Sequence, residues 1–229
     1  MNKATANTTL VLTRDGSHSL RNENTGELYH SIFGAFTESV HVFVEAGLRP
    51  LATQRSAIKL LEVGLGTGLN LLLAAAFASQ KYISIDYTGI DPYPVDIEMI
   101  KQLNYGDFVG DELFTSYNQS YQNLLNAGQW NQPNFKAQMV QLPLLQFESS
   151  SVFDLIFYDA FSPASQEEMW DAESISKVAT LLAPGGVLVT YCIRGCVRRQ
   201  FLALGLQAEK LAGPPGKREM MRITKSKHV

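Results

Sequence analysis

The chain has 229 residues, 45% of them hydrophobic and 18% charged, with a net charge of −3. That length buries one substantial core, while Cys192 and Cys196, the 2 cysteines, fall short of a zinc site or disulfide framework and read as reduced structural thiols. The apolar runs stop short of the roughly 18 to 20 residues needed to span a bilayer, and "MNKATANTTL" lacks a signal peptide's apolar centre; a cytosolic protein without membrane or metal partner is expected.

The charge is unevenly divided. From Met1 to Glu173, 9 Lys and Arg face 20 Asp and Glu, a balance of −11; from Ser174 to Val229 the counts are 10 and 2, a balance of +8. A basic face presented to a polyanion and an ordinary solvated surface both fit this division.

Residues 1–50 read as an amino-terminal extension packing on the core, with Glu38 and His41 on a helix. The remainder, 51–229, reads as the main domain. "AIKLLEV" predicts a first buried strand and "TGLNLLLAAAFA" the helix it feeds. "ISIDYTGID" is a second strand, followed by a helix over "PVDIEMIKQL" with Pro94 in its first turn. Apolar and aromatic groups at helical spacing in "DELFTSYNQSYQNLL" mark a helical insertion near 106–130. "FKAQMVQLPLL" and "VFDLIFYDA" predict the third and fourth strands, "EEMWDAESISKVATLL" a helix and "GGVLVTYCI" the fifth strand. "LQAEKLAGPPGKREMMRITK" reads as two strands around a Gly/Pro-rich loop, an antiparallel edge pair, before a frayed end at "TKSKHV". Strands alternating with helices predict an α/β fold, a mostly parallel sheet with helices on both faces.

In "LLEVGLGTGLN", Gly64, Gly66 and Gly68 lie between a predicted strand and helix, where open α/β sheets bind ligands. The spacing is G-x-G-x-G, not the dinucleotide G-x-G-x-x-G, and no Lys with Ser or Thr follows to clamp phosphate. S-adenosylmethionine suits such a turn. It carries no phosphate, and its cationic sulfonium and amino groups favour an acid such as Glu62 beside the loop. Asp91, closing the second strand, is placed to accept from ribose hydroxyls, and Asn70 closes the glycine motif.

"EVGLGTG" and "LLAPGGVLV" resemble elements of the class I S-adenosylmethionine-dependent methyltransferases. That resemblance implies a Rossmann-like, seven-stranded sheet with an antiparallel last strand. "ESVHVF", "GLGTGLN", "DAFSPA" with its following "MW", and "GKREMM" resemble more narrowly the methyltransferase half of the MnmC-type tRNA 5-aminomethyl-uridine methyltransferases, over Tyr29 to Lys225. The resemblance implies tRNA as partner and methylation of the aminomethyl nitrogen on the wobble uridine. A free alkylamine is mostly protonated near neutrality, so a group must accept its proton, and Asp159 is the candidate. Phe161 and Pro163 are candidates to wall a splayed base. Arg194, Arg198, Arg199, Lys217 and Arg218 are candidates for phosphate contacts, and Glu38 and His41 for closing over donor or base. Where many class I enzymes carry an acid after the third strand, this chain offers Gln141. The flavin-dependent oxidase half of the bifunctional relatives has no counterpart in the sequence, and a stand-alone, monomeric methyltransferase is expected. An aminopropyltransferase-like or small-molecule enzyme on the same fold, or a non-catalytic RNA-binding module, are the competing readings.

Overall fold

A computed structural model describes residues 7–227. The last two residues of the expected frayed end lie outside them. The chain opens with an antiparallel hairpin, β1 (Thr8–Leu12) and β2 (His18–Asn22), and an irregular crossing segment. A long helix follows, α-helical over Ala35–Ser39, π-helical over Val40–Leu48 and α-helical again over Arg49–Ala52. Pro50 falls in the first turn of that last piece, where its missing N–H costs nothing.

The central sheet has eight strands in the order β5-β6-β4-β3-β7-β8-β10-β9. They are β3 (Ala57–Val63), β4 (Ser84–Ile90), β5 (Gln129–Gln132), β6 (Phe135–Val140), β7 (Phe153–Tyr158), β8 (Leu182–Thr190), β9 (Gln207–Ala212) and β10 (Glu219–Thr224). β6, β4, β3, β7 and β8 are parallel neighbours, while β10 runs antiparallel to both β8 and β9. The expected α/β sheet with an antiparallel last strand is therefore present. An eighth strand, β5, pairs antiparallel with β6 across the two-residue loop Pro133–Asn134. Trp130 of β5 is buried edge-on against Tyr117 and Phe135, and this packing pulls the short polar segment into the sheet.

The helix Leu69–Lys81 is buried on nearly all sides, as its run of Leu and Ala requires. Helix Asp111–Leu125 lies in the region read as a helical insertion and buries Phe114, Tyr117, Tyr121 and Leu124 on one face. Helix Ala35–Ala52 packs on the sheet through Phe43, whose ring lies 5.1 Å from that of Phe157. Two local expectations are corrected and one helix is added. The helix after β4 is only Ile97–Ile100, because Asp96 caps it by accepting the Glu98 N–H at 2.8 Å, which leaves Pro94 outside. The stretch 167–182 is a 3₁₀ turn, Glu167–Trp170, then a helix, Ala172–Leu181, divided by Asp171 acting as N-cap. A helix at Gly195–Ala203, which the sequence left unassigned, joins β8 to β9.

Candidate active site

The chain proceeds outward from β3 through β4 to β6, then crosses back to β7 and β8, so a crevice opens at the carboxyl ends of β3 and β7. A cavity of about 700 Å³ sits there. Its floor is the turn Gly64–Thr67, Asp91 at the end of β4 and Asp159 at the end of β7; its cover is the segment after β2, from Asn22 to Ile32.

Gly64 has φ +88, and a Cβ there would stand 2.6 Å from the Asp159 carbonyl oxygen. Glycine is thus required for the first turn to pass this close to the β7 terminus. The Gly66 N–H donates to Asp91 Oδ2 at 2.9 Å and the Tyr93 N–H to Oδ1 at 2.9 Å. Burial raises the Asp91 carboxyl above its usual range while these two bonds oppose the rise.

Asn70 ties two carboxyl groups together. Its Nδ2 donates to Glu62 Oε1 and to Asp159 Oδ2, each at 2.9 Å. Glu62 also accepts from the Tyr87 hydroxyl. Fully buried, Glu62 has its pKa pushed well above the carboxylate range, with the bonds from Tyr87 and Asn70 opposing. It therefore stands behind the cavity, where burial favours its protonated form over a charge offered to a cationic ligand. Asp159 is pushed up to about 7, chiefly by burial, then by the charge of Glu38, against the Asn70 bond and the charge of Lys217.

The cover is fastened from two sides. Glu27 Oε1 accepts the Ser162 N–H at 2.9 Å, and the Tyr29 ring meets that of Phe161 edge-on at 4.9 Å. At the other end Asp15 accepts the Thr37 N–H and hydroxyl, both at 2.8 Å, and bonds from Ser17 and Thr13. Burial alone would raise the Asp15 pKa, but these bonds prevail and hold it far below the usual range. Asp15 thereby locks the β1–β2 turn onto the start of the helix that carries Glu38.

Of the residues singled out from sequence, Glu38, Gly64, Gly66, Asp91, Asp159, Phe161 and Lys217 line the cavity. Glu62, Gly68 and Asn70 lie behind its wall. Gln141 is turned away, donating from Nε2 to the Leu125 carbonyl at 2.5 Å. Pro163, Arg194, Arg198 and Arg218 are also off the wall, and His41 contacts the Ala212 carbonyl at 2.8 Å. Lys217 differs most from expectation: its ammonium donates to Glu38 at 2.5 Å and lies 4.0 Å from the centre of the Tyr191 ring, inside the site rather than toward an RNA backbone. Sequence reasoning missed Glu27, Tyr29, His30 and Tyr191, all on the wall. The basic carboxyl-terminal region is also less of a free face than its charge implies. Lys210 pairs with Glu219 and Arg222 with Glu209, each at 2.8 Å, while Lys225 donates to two backbone carbonyls. Arg194, Arg199 and Arg218 remain exposed.

A family model described as S-adenosyl-L-methionine-dependent methyltransferase matches residues 133–226. The crystal structure of MNMC2 from Aquifex Aeolicus matches 100% of this chain and 73% of that one, with TM-score 0.76 at 21% identity. Over residues 133–226 the chain is thus similar to the S-adenosyl-L-methionine-dependent methyltransferases, and its fold is that of MNMC2. Among curated relatives, the tRNA 5-methylaminomethyl-2-thiouridine biosynthesis bifunctional protein MnmC of Cupriavidus metallidurans is 30% identical over 224 residues, covering 92% of this chain and 33% of the relative. The protein of the same name from Dichelobacter nodosus is 26% identical over 211 residues, covering 85% and 33%. The chain thus spans about a third of the length of the curated relatives it matches. No helix among the described residues is long and apolar enough to cross a membrane.

The cavity fits the methyl donor. Its volume is in the range of small-molecule sites, roughly 300 to 1,000 Å³, and Gly64 leaves backbone where any larger residue would collide with Asp159. Gly64 and Gly66 would hold the donor's chain and Asp91 its ribose. When bound, S-adenosyl-L-methionine supplies a methyl group already activated on a sulfonium. What remains for the protein is to position an acceptor, exclude water and receive a proton.

Proposed function

We propose that the chain methylates the aminomethyl nitrogen of 5-aminomethyl-(2-thio)uridine at the wobble position of tRNA. The observation that carries this reading is Asp159, elevated to about 7, facing the same cavity as the glycine turn and Asp91. A carboxyl poised near neutrality accepts a proton from an alkylammonium better than an ordinary, weaker base would. Asn70 holds Oδ2, and Oδ1 is the atom we assign to receive the proton. Phe161 and Tyr29 give the cavity an aromatic edge suited to stacking a splayed pyrimidine, with Pro163 beyond it on the same loop. The exposed Arg194, Arg199 and Arg218, together with Arg198, are proposed to meet RNA phosphates, and a tRNA acceptor would place a monomeric enzyme in the cytoplasm. The naming of the relatives matched over this region supports the same acceptor.

The test is direct. Purified protein is incubated with labelled donor and tRNA from cells lacking this modification, and the nucleosides are separated and identified. Label in methylaminomethyl-uridine is expected. Label passing only to a polyamine or another small amine, with none in tRNA, would overturn the proposal.

A further inference from the structure

Glu38 and Lys217, which are 179 positions apart, meet on the cavity wall that Asp159 shares. Lys217 Nζ donates to Glu38 Oε1 at 2.5 Å, and Glu38 Oε2 accepts the Ser31 N–H at 2.7 Å. The same ammonium lies 4.0 Å from the Tyr191 ring centre, and the Tyr191 hydroxyl donates to the carbonyl of Ala160, next to Asp159, at 2.8 Å. The lysine is delivered by a closed turn in which the Lys217 N–H reaches the Pro214 carbonyl at 2.9 Å and the Gly213 N–H the Arg218 carbonyl at 3.1 Å. Lys217 is thus held at both ends, by its turn and by its partners.

We propose that Glu38 and Lys217 form a charge couple that sets how readily Asp159 takes up a proton. Both are positioning residues, acting through Asp159 and not on the acceptor, and the inference rests on reading Asp159 as the proton acceptor. The physics is a balance of signs. A second carboxylate facing a partly dry cavity disfavours ionisation of Asp159, whereas an ammonium favours it. Paired, the two oppose each other, Glu38 adding to the rise that burial imposes on Asp159 and Lys217 working against it, and the carboxyl stands at about 7. The other titratable groups around the couple and Asp159 are Glu62, joined to Asp159 through Asn70, then Asp15, His30, Glu27, Tyr191 and Cys192. His30 is half-buried and held neutral, its pKa down at about 4 mainly through desolvation. Glu27 and the Cys192 thiol face the Tyr191 side, and burial raises both Tyr191 and Cys192.

The couple makes a prediction of sign that a merely structural ion pair does not. The Asp159 carboxyl carbon is followed by ¹³C NMR through a pH titration of the free full-length chain, assigned by its loss in Asp159→Asn. Lys217→Met should raise the Asp159 midpoint by on the order of one pH unit, and Glu38→Gln should lower it. The double variant should return close to the unsubstituted chain, and Lys217→Arg should stay near it. Urea midpoints show that each variant is folded, and any that is not is replaced by Lys217→Gln or Glu38→Asp. Shifts in the same direction for the two single variants, a double variant more perturbed than either, or an unmoved midpoint would each overturn the proposal. Because no RNA enters the measurement, failure of the couple leaves the acceptor assignment standing, and failure of the acceptor assignment leaves the titration result intact.

Discussion

Replacing Gly64 with alanine tests whether the first turn is built around the end of β7. At φ +88 the new residue would occupy the left-handed region, at a cost of about 1–2 kcal/mol. Its Cβ would stand 2.6 Å from the Asp159 carbonyl oxygen, 3.0 Å from the carbonyl carbon and 3.2 Å from the Ala160 nitrogen. All three are backbone atoms, so no side chain can swing aside, and overpacking of this kind adds about 1–3 kcal/mol. Gly64→Ala should therefore lose about 2–5 kcal/mol in urea denaturation and lose donor binding in calorimetry, because relief of the clash displaces Asp159 and the turn together. Gly26→Ala supplies the control: at φ +71 with no atom within 4 Å of its Cβ, it should show the backbone cost alone. A Gly64→Ala protein destabilised no more than Gly26→Ala, with unchanged donor affinity, would refute the reasoning.

Asp159→Asn should leave donor binding nearly intact while cutting turnover by about 10²–10⁴-fold, and the rise in activity with pH through about 7 should disappear from the rate profile. Glu62 has a folded pKa well above its unfolded value, so its contribution to stability is full below about 4.5 and is lost as pH rises toward the folded pKa. Urea midpoints at acidic and alkaline pH should accordingly show Glu62→Gln gaining on the unsubstituted chain as pH rises; equal differences at both would contradict the buried, protonated assignment. Charge reversal at Arg194 and Arg218 should weaken tRNA binding and flatten the log-log salt slope by about 0.7–0.9 per lost phosphate contact, and an unaltered slope would place the RNA elsewhere.

Local pattern carried much of the molecule. β3 coincides with "AIKLLEV", and the Leu69–Lys81 helix, β4, β6, β7 and β8 follow from hydrophobic periodicity and glycine placement, signals that depend only on neighbours in the chain. The turn glycines, Asp91 and Asp159 were legible for the same reason: each sits at a strand end, and strand ends in an open parallel sheet are where ligands bind. β5 had a readable signal in the turn residues "QPN", but its short polar run shows little alternation and owes its place to Trp130.

What only folding decided are the contacts between distant segments. Glu27 reaches Ser162 across 135 positions and Lys217 reaches Glu38 across 179, so no window of sequence contains either pair. A basic residue in a basic stretch looks like a surface charge until a buried carboxylate and an aromatic face draw it inward. The same holds for Glu62, which from sequence reads as an acid beside a glycine loop that favours a cationic ligand. Its burial against Tyr87 and Asn70 turns it into a protonated strut under the floor. Sequence determined where backbone turns and carboxyls stand along each strand; packing determined which of them carry charge, because desolvation and partners, both properties of the assembled interior, set protonation.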